Sequence, residues 1–245
     1  MNTNNQYTAE EVADELKRLS DSNRAKASQR FFKTGKGQYG EGDIFIGVSV
    51  PVQRTIAKKF SSLALPEVCS LLKKPVHEMR LTALIIMTEQ YKRANESDKN
   101  SLYNAYLSHT EYINNWDLVD TSAHKIVGPH LDDNPNKMQI LKKYAQSPNL
   151  WERRIAMVST LYNSGVQHSS TETIEIVKIL LHDSEDLIQK AAGWTLREVG
   201  KQVSVDDLTQ FLDRYAHVMP RTMLRYSIER LEPAMKKHYM ELKNT

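Results

Sequence analysis

One register runs through most of the chain. Glu78-Met79-Arg80-Leu81-Thr82-Ala83, Glu152-Arg153-Arg154-Ile155-Ala156-Met157 and Ile188-Gln189-Lys190-Ala191-Ala192-Gly193 align so that Arg80, Arg154 and Lys190 coincide, 74 and 36 positions apart. The segment Asn114-Asn115-Trp116-Asp117-Leu118-Val119-Asp120 falls near the midpoint of the longer gap. The period is therefore about 36–37 residues with two helices per unit, the range of helical-repeat solenoids. A two-helix unit cannot bury its apolar face alone, so stacked neighbours supply the core. An irregular helical bundle is the alternative; short connections and the recurring basic position favour the repeat.

The elements between these landmarks are predicted to be helical. Thr8-Ala9-Glu10-Glu11 is a capping box ahead of Val12, Leu16 and Leu19 at helical spacing. A second helix is predicted from about Arg24 to Lys33. From Pro51 onward the pattern predicts helices at about 51–60, 65–73, 75–93, 97–108, 114–128, 135–146, 148–163, 171–182, 184–201, 204–215, 217–231 and 233–242. An Asn of the Asn114-Asn115 pair is the expected N-cap of the Trp116 helix, and Asn134-Pro135 and Ser147-Pro148 are expected to open two others. Only Gly35–Gly47 departs from this texture. It holds five of the nine glycines, with aromatic and β-branched residues between them, and reads as a glycine-rich loop or short β-hairpin at about 35–48. It lacks the strand–loop–helix setting and Lys-Ser/Thr of a phosphate-binding P-loop. The expectation is an all-α helical-repeat solenoid occupying 1–245 as a single domain.

Composition excludes several classes. One cysteine, Cys69, permits no internal disulfide and reads as a buried small hydrophobe. The polar start, Met1 to Gln6, has no apolar core for a signal peptide, and the strongest apolar run, Leu81 to Met87, is far too short to span a bilayer. The expectation is a cytoplasmic, soluble protein with no membrane partner. The eight histidines show no metal-ligand spacing, so no metal is expected, and His77, His124 and His182 read as ordinary helix residues. Net charge is only +3 against 33 Lys and Arg, so a polyanion partner requires that the cations be segregated.

A solenoid places equivalent helices side by side. Arg80, Arg154 and Lys190 would then form a stripe together with Trp116, Asp120, Trp194 and Arg197, with Arg221 and Arg225 as an extension. Arg and Lys neutralise phosphates, and indole stacks on sugars or bases. Trp116 and Asp120 are four apart and share a helix face. A carboxylate is out of place on a surface that only binds phosphate. It suits a site where positive charge develops, such as the oxocarbenium ion formed when a glycosidic bond breaks.

The three segments Trp116-Asp117-Leu118-Val119-Asp120, Leu150-Trp151-Glu152-Arg153-Arg154 and Lys190-Ala191-Ala192-Gly193-Trp194-Thr195-Leu196-Arg197-Glu198 resemble the signature segments of the AlkD family, the HEAT-like-repeat DNA glycosylases of alkylation repair. The resemblance spans about Arg24 to Lys201. It implies hydrolysis of the N-glycosidic bond of cationic N3- or N7-alkylated purines in duplex DNA, without base flipping, cofactor or metal, by a monomer. Asp120 matches the catalytic carboxylate, Trp116 and Trp194 the aromatic walls, and Arg154 the basic residue beside them. Lys190, Arg197, Arg153, Arg80, Lys36 and Tyr39 are the DNA-contact candidates. Two departures stand out. Phe31 or Phe32 replaces a Tyr of the best-known members, and Gly35–Gly47 looks like an insertion, with Lys33, Lys36 and Tyr39 at its base. The alternative expectation is a weakly catalytic or non-catalytic relative that binds branched or distorted DNA.

Overall fold

The computed structural model describes residues 7–242; the polar start read above as lacking a signal peptide, residues 1–6, lies outside the described residues. Fourteen α-helices occupy the described chain: α1 (Ala9–Arg18), α2 (Ser22–Phe31), α3 (Val50–Lys59), α4 (Leu65–Leu72), α5 (His77–Arg93), α6 (Glu96–Leu107), α7 (Trp116–Leu131), α8 (Lys137–Ala145), α9 (Leu150–Ser159), α10 (Thr171–Ile179), α11 (Asp186–Gln202), α12 (Val205–Tyr215), α13 (Arg221–Ser227) and α14 (Pro233–Glu241). A 3₁₀ turn at Thr110–Tyr112 and a π-turn at Asn163–Gln167 complete the set. Helices α5, α7, α9 and α11 begin at residues 77, 116, 150 and 186, close to the period read from the sequence. The chain is all-α and HEAT-like. Its contacts divide into two compact units, Met1–Ser122 and Ala123–Thr245.

In the first unit α5 is the central helix. It packs against α3 and α4, with α1 and α6 also in contact, and buries thirteen residues from His77 to Tyr91. A helix buried on nearly all sides needs an apolar run rather than a stripe, which accounts for Leu81–Met87. The capping box at Thr8 forms as expected, with both reciprocal hydrogen bonds. In the second unit α11 has the central place, against α9, α12 and α13. There α11 presses on α13: a Cβ on Gly193 would lie 2.4 Å from the Met223 carbonyl oxygen.

Several boundaries move. α8 begins at Lys137, because the Asn134 carboxamide accepts the Asn136 N–H at 2.8 Å and holds residues 134–136 in a turn. α9 opens at Leu150, with Asn149 as the cap accepting the Trp151 N–H at 2.9 Å. The predicted 217–231 helix contracts to α13. At the head of α7 it is Asn115, not Asn114, whose carboxamide accepts the Trp116 N–H, at 2.8 Å.

The glycine-rich segment is a loop. No hairpin forms, because its extended part pairs outside itself. Ile44 makes a single parallel bridge with Val76, its carbonyl accepts the His77 N–H at 2.8 Å, and the buried Glu78 carboxylate takes the N–H groups of Ile46 and Gly47 at 3.1 and 2.7 Å. Gly47 has φ +83°, and a Cβ there would stand 2.0 Å from the Asp21 carbonyl oxygen, so only glycine fits.

Candidate functional site

In the first unit the sequence places Trp116 and Asp120 at the start of α7, one turn apart, both half-buried. The Trp116 ring stacks on Phe32 with centroids 5.3 Å apart and 18° between planes, and meets Phe31 edge-on at 5.9 Å. Phe32 stacks in turn on Phe45 at 5.0 Å, and Phe45 on the His77 ring at 4.5 Å. Phe31 keeps 65% of its surface exposed. Below Asp120, the fully buried Tyr106 hydroxyl pairs with Ser122 at 2.9 Å. Burial pushes the Tyr106 phenol above its ordinary value, and the nearby charge of Asp120 adds to the rise. A carboxylate and an indole therefore share one face of the α7 start, with Phe31 and Phe32 extending the aromatic surface.

Beneath that face lies a buried charged cluster that helical periodicity does not reveal. His77, read from the sequence as an ordinary helix residue, is 1% exposed. Its Nδ1 lies 3.1 Å from Asp43 Oδ2 and its Nε2 2.8 Å from Asp117 Oδ2. Burial opposes its charge, but the hydrogen bonds of Asp117 and Asp43 outweigh burial and lift its pKa to about 9. Asp43 also receives Arg80 and, at 2.9 Å, the Asn115 carboxamide N–H. Burial would raise its pKa; the His77 and Arg80 partners bring it instead to about 2. Arg80, 4% exposed, donates its other terminal nitrogen to Asn114 Oδ1. It therefore does not stand on an open basic stripe. The sequence carries no distinctive signal of this cluster, since aspartate is an ordinary turn residue and the same loop also carries Lys36 and Glu41.

The second unit holds the other candidates. Arg154 is 4% exposed and donates to the Leu187 carbonyl in the first turn of α11. Arg153 reaches Asp183 at 2.7 Å and the carbonyls of Ser147 and Pro148 at 3.0 and 3.2 Å. Lys190 pairs with Asp186 one turn back at 2.7 Å. Arg197 bridges Glu229 and Glu198. Trp194 is half-buried on α11. Lys36 and Tyr39 sit in the loop of the first unit, Lys36 exposed and Tyr39 half-buried with its hydroxyl toward the Phe31 carbonyl. Cys69 is half-buried rather than buried, and desolvation pushes its thiol up, away from a nucleophile's range.

Comparison with known proteins gives this geometry its setting. No curated protein matches the chain. Solved structures share the fold, among them the following two. A predicted DNA alkylation repair enzyme from Enterococcus faecalis superposes with a TM-score of 0.67 at 16% identity, over 88% of this chain and 98% of that one. A protein described as one of a new family related to the HEAT-like repeat DNA glycosylases, with affinity for branched DNA structures, gives 0.54 at 16% identity, over 90% of this chain and 83% of that one. The family profile described as DNA alkylation repair enzyme runs along residues 12–231, from the first buried turn of α1 to the end of the α13 region, so the Trp116–Asp120 face and the α9 and α11 candidates all lie inside it. By that match the chain belongs to the DNA alkylation repair enzyme family.

Proposed function

We propose that the protein is a monofunctional DNA glycosylase that hydrolyses the N-glycosidic bond of cationic N3- or N7-alkylated purines in duplex DNA, without flipping the base. The observation that carries this reading is the Asp120 carboxylate one turn from the Trp116 ring, on a face that Phe31 and Phe32 extend. An alkylated purine already bears positive charge and departs as a neutral base, so no general acid is needed. What lowers the barrier is a fixed anion facing the sugar as its oxocarbenium character grows, and a water held for attack. Asp120 has both tasks, and Trp116 shields the developing cation from bulk water. In the second unit, taken by itself, Trp194 offers an aromatic surface for sugar and backbone, and Arg154, buried and donating to the Leu187 carbonyl, acts from within that unit. Lys190, Arg197, Arg153, Lys36 and Tyr39 contact the DNA backbone. Arg80 acts from beneath, since both its terminal nitrogens are engaged within its unit. The partner is alkylated double-stranded DNA and the working form a monomer.

A second reading is recognition of branched DNA with little or no excision. It is favoured by the likeness to the branched-DNA-binding relative and by an exposed loop bearing Lys33 and Lys36. One experiment separates the two: release of free methylated purine from randomly methylated duplex, wild type beside Asp120→Asn. The glycosylase reading expects release that falls by about 10²-fold or more in the variant, with duplex binding kept or tightened because a charge repelling phosphate is gone. Equal release from both proteins removes Asp120 from the chemistry. No release from either, with tight binding to a four-way junction, leaves the branched-DNA reading in possession.

A further inference from the structure

The cluster under Trp116 is built for placement. Asp43 comes from the glycine-rich loop, His77 and Arg80 from α5, and Asn114, Asn115 and Asp117 from the head of α7, so three separate segments meet at one carboxylate. Both ring nitrogens of His77 face carboxylate oxygens. A neutral imidazole would turn a lone pair toward one of them; only the imidazolium donates to both. The groups facing that ring are Asp43 from the loop, Arg80 on its own helix and Asp117 on α7, with the Phe45 and Phe32 rings over its plane.

Stability alone does not explain the arrangement. Replacing buried ion networks by apolar residues is often neutral or stabilising. This one also leaves Arg80 Nε and Asp117 Oδ1 buried with no hydrogen-bond partner among the described residues, each a cost rather than a gain. What the cluster does achieve is definite. It ties the two residues before Trp116 and the one after it, while the stack His77–Phe45–Phe32 runs up to the indole itself. Trp116 is therefore held from its backbone and from its ring, and Asp120 follows one helical turn later.

We propose that Asp43 and His77 are positioning residues for the Trp116–Asp120 pair, and that the glycine-rich loop is a strap whose carboxylate fixes the start of α7. The inference rests on the glycosylase reading for its catalytic consequence and on geometry alone for the placement. The test labels the three tryptophans with fluorine at the indole ring and follows their ¹⁹F resonances from pH 6 to 10, assigned by single Trp→Phe replacements. The Trp116 resonance of the wild type should move with a midpoint near the His77 value of about 9, as deprotonation releases the clamp. In His77→Gln and Asp43→Asn, checked as folded by circular dichroism, it should start displaced at pH 7; His77→Gln should lose that titration, and in Asp43→Asn, where Asp117 still faces the ring, its midpoint should fall. Excision by both variants should drop in kcat by about 10²-fold, the cost of a roughly 1 Å misplacement, with KM for methylated duplex changed far less. A wild-type Trp116 resonance that stays fixed from pH 6 to 10, or one at the same position in folded variants, overturns the positioning role. Absence of excision in the wild type overturns the glycosylase reading instead and leaves the resonance test to decide the strap.

Discussion

His77 ties pH to stability at a single residue. Its folded pKa stands near 9, above the ordinary histidine value of about 6.5. A group whose pKa rises on folding contributes stability that is fully present below its unfolded value and is lost as pH climbs through the folded one. The wild type should therefore lose stability between about pH 6.5 and 9. His77→Gln, with no charge to lose, should be weaker at pH 6 and run nearly flat through that window. Urea melts at half-unit intervals measure the difference between the two proteins, which should shrink steadily toward pH 9. A constant difference would mean that the imidazolium is not what Asp43 and Asp117 hold. On the acid side Asp43, near 2, adds stability that is present above its ordinary value and fades as pH falls toward 2.

At the scale of elements, the recurring basic position has a structural meaning. Arg80 on α5 reaches Asn114 ahead of α7, 34 residues on; Arg154 on α9 reaches the Leu187 carbonyl at the start of α11, 33 residues on. Each spans close to one repeat, so a residue aligned as a groove cation links a helix to the start of its counterpart in the following repeat. This marks what was legible. Period, helix order and most caps follow from spacing and local hydrogen bonding, which a sequence displays directly. The direction of an arginine does not, because a buried and an exposed guanidinium share the same helical register. Nor does the fate of the loop, whose anchors Val76, Glu78 and Asn115 lie 31 to 72 residues from their partners and follow no period. Helix packing yields its own prediction at Gly193. Alanine there gains about 1 kcal/mol in helix propensity. Its Cβ, however, meets the Met223 carbonyl oxygen at 2.4 Å and Tyr226 Cβ at 2.5 Å. A backbone oxygen cannot swing aside, so overpacking of about 1–3 kcal/mol should prevail. Gly193→Ala should melt below the wild type, whereas a rise in Tm would mean that α11 and α13 are less closely packed.

On the scale of the whole molecule, a net charge of +3 says little about how DNA is held; how the cations are spent says more. Arg153, Lys190 and Arg197 each face a carboxylate, so a phosphate must displace a partner already present, and the gain from each is reduced. Lys26, Arg30, Lys33 and Lys36, on α2 and the adjoining loop, form no ion pair with any described residue, and α2 buries none of its residues. If these cations take phosphates, each releases condensed counterions, and log K for duplex DNA falls with log salt by about 0.9 per contact. The double variant Arg30→Ala/Lys36→Ala should therefore bind more weakly at low salt and show a slope shallower by up to about 2, converging on the wild type as salt rises. Arg197→Ala should change the slope by less, since its guanidinium is partly neutralised by Glu198 and Glu229 before DNA arrives. Fluorescence-anisotropy titrations across a salt series give all three slopes. An unchanged slope in the double variant would take α2 and the loop off the DNA and leave the already paired arginines to carry the backbone contacts, with the loop kept only for what Asp43 holds in place.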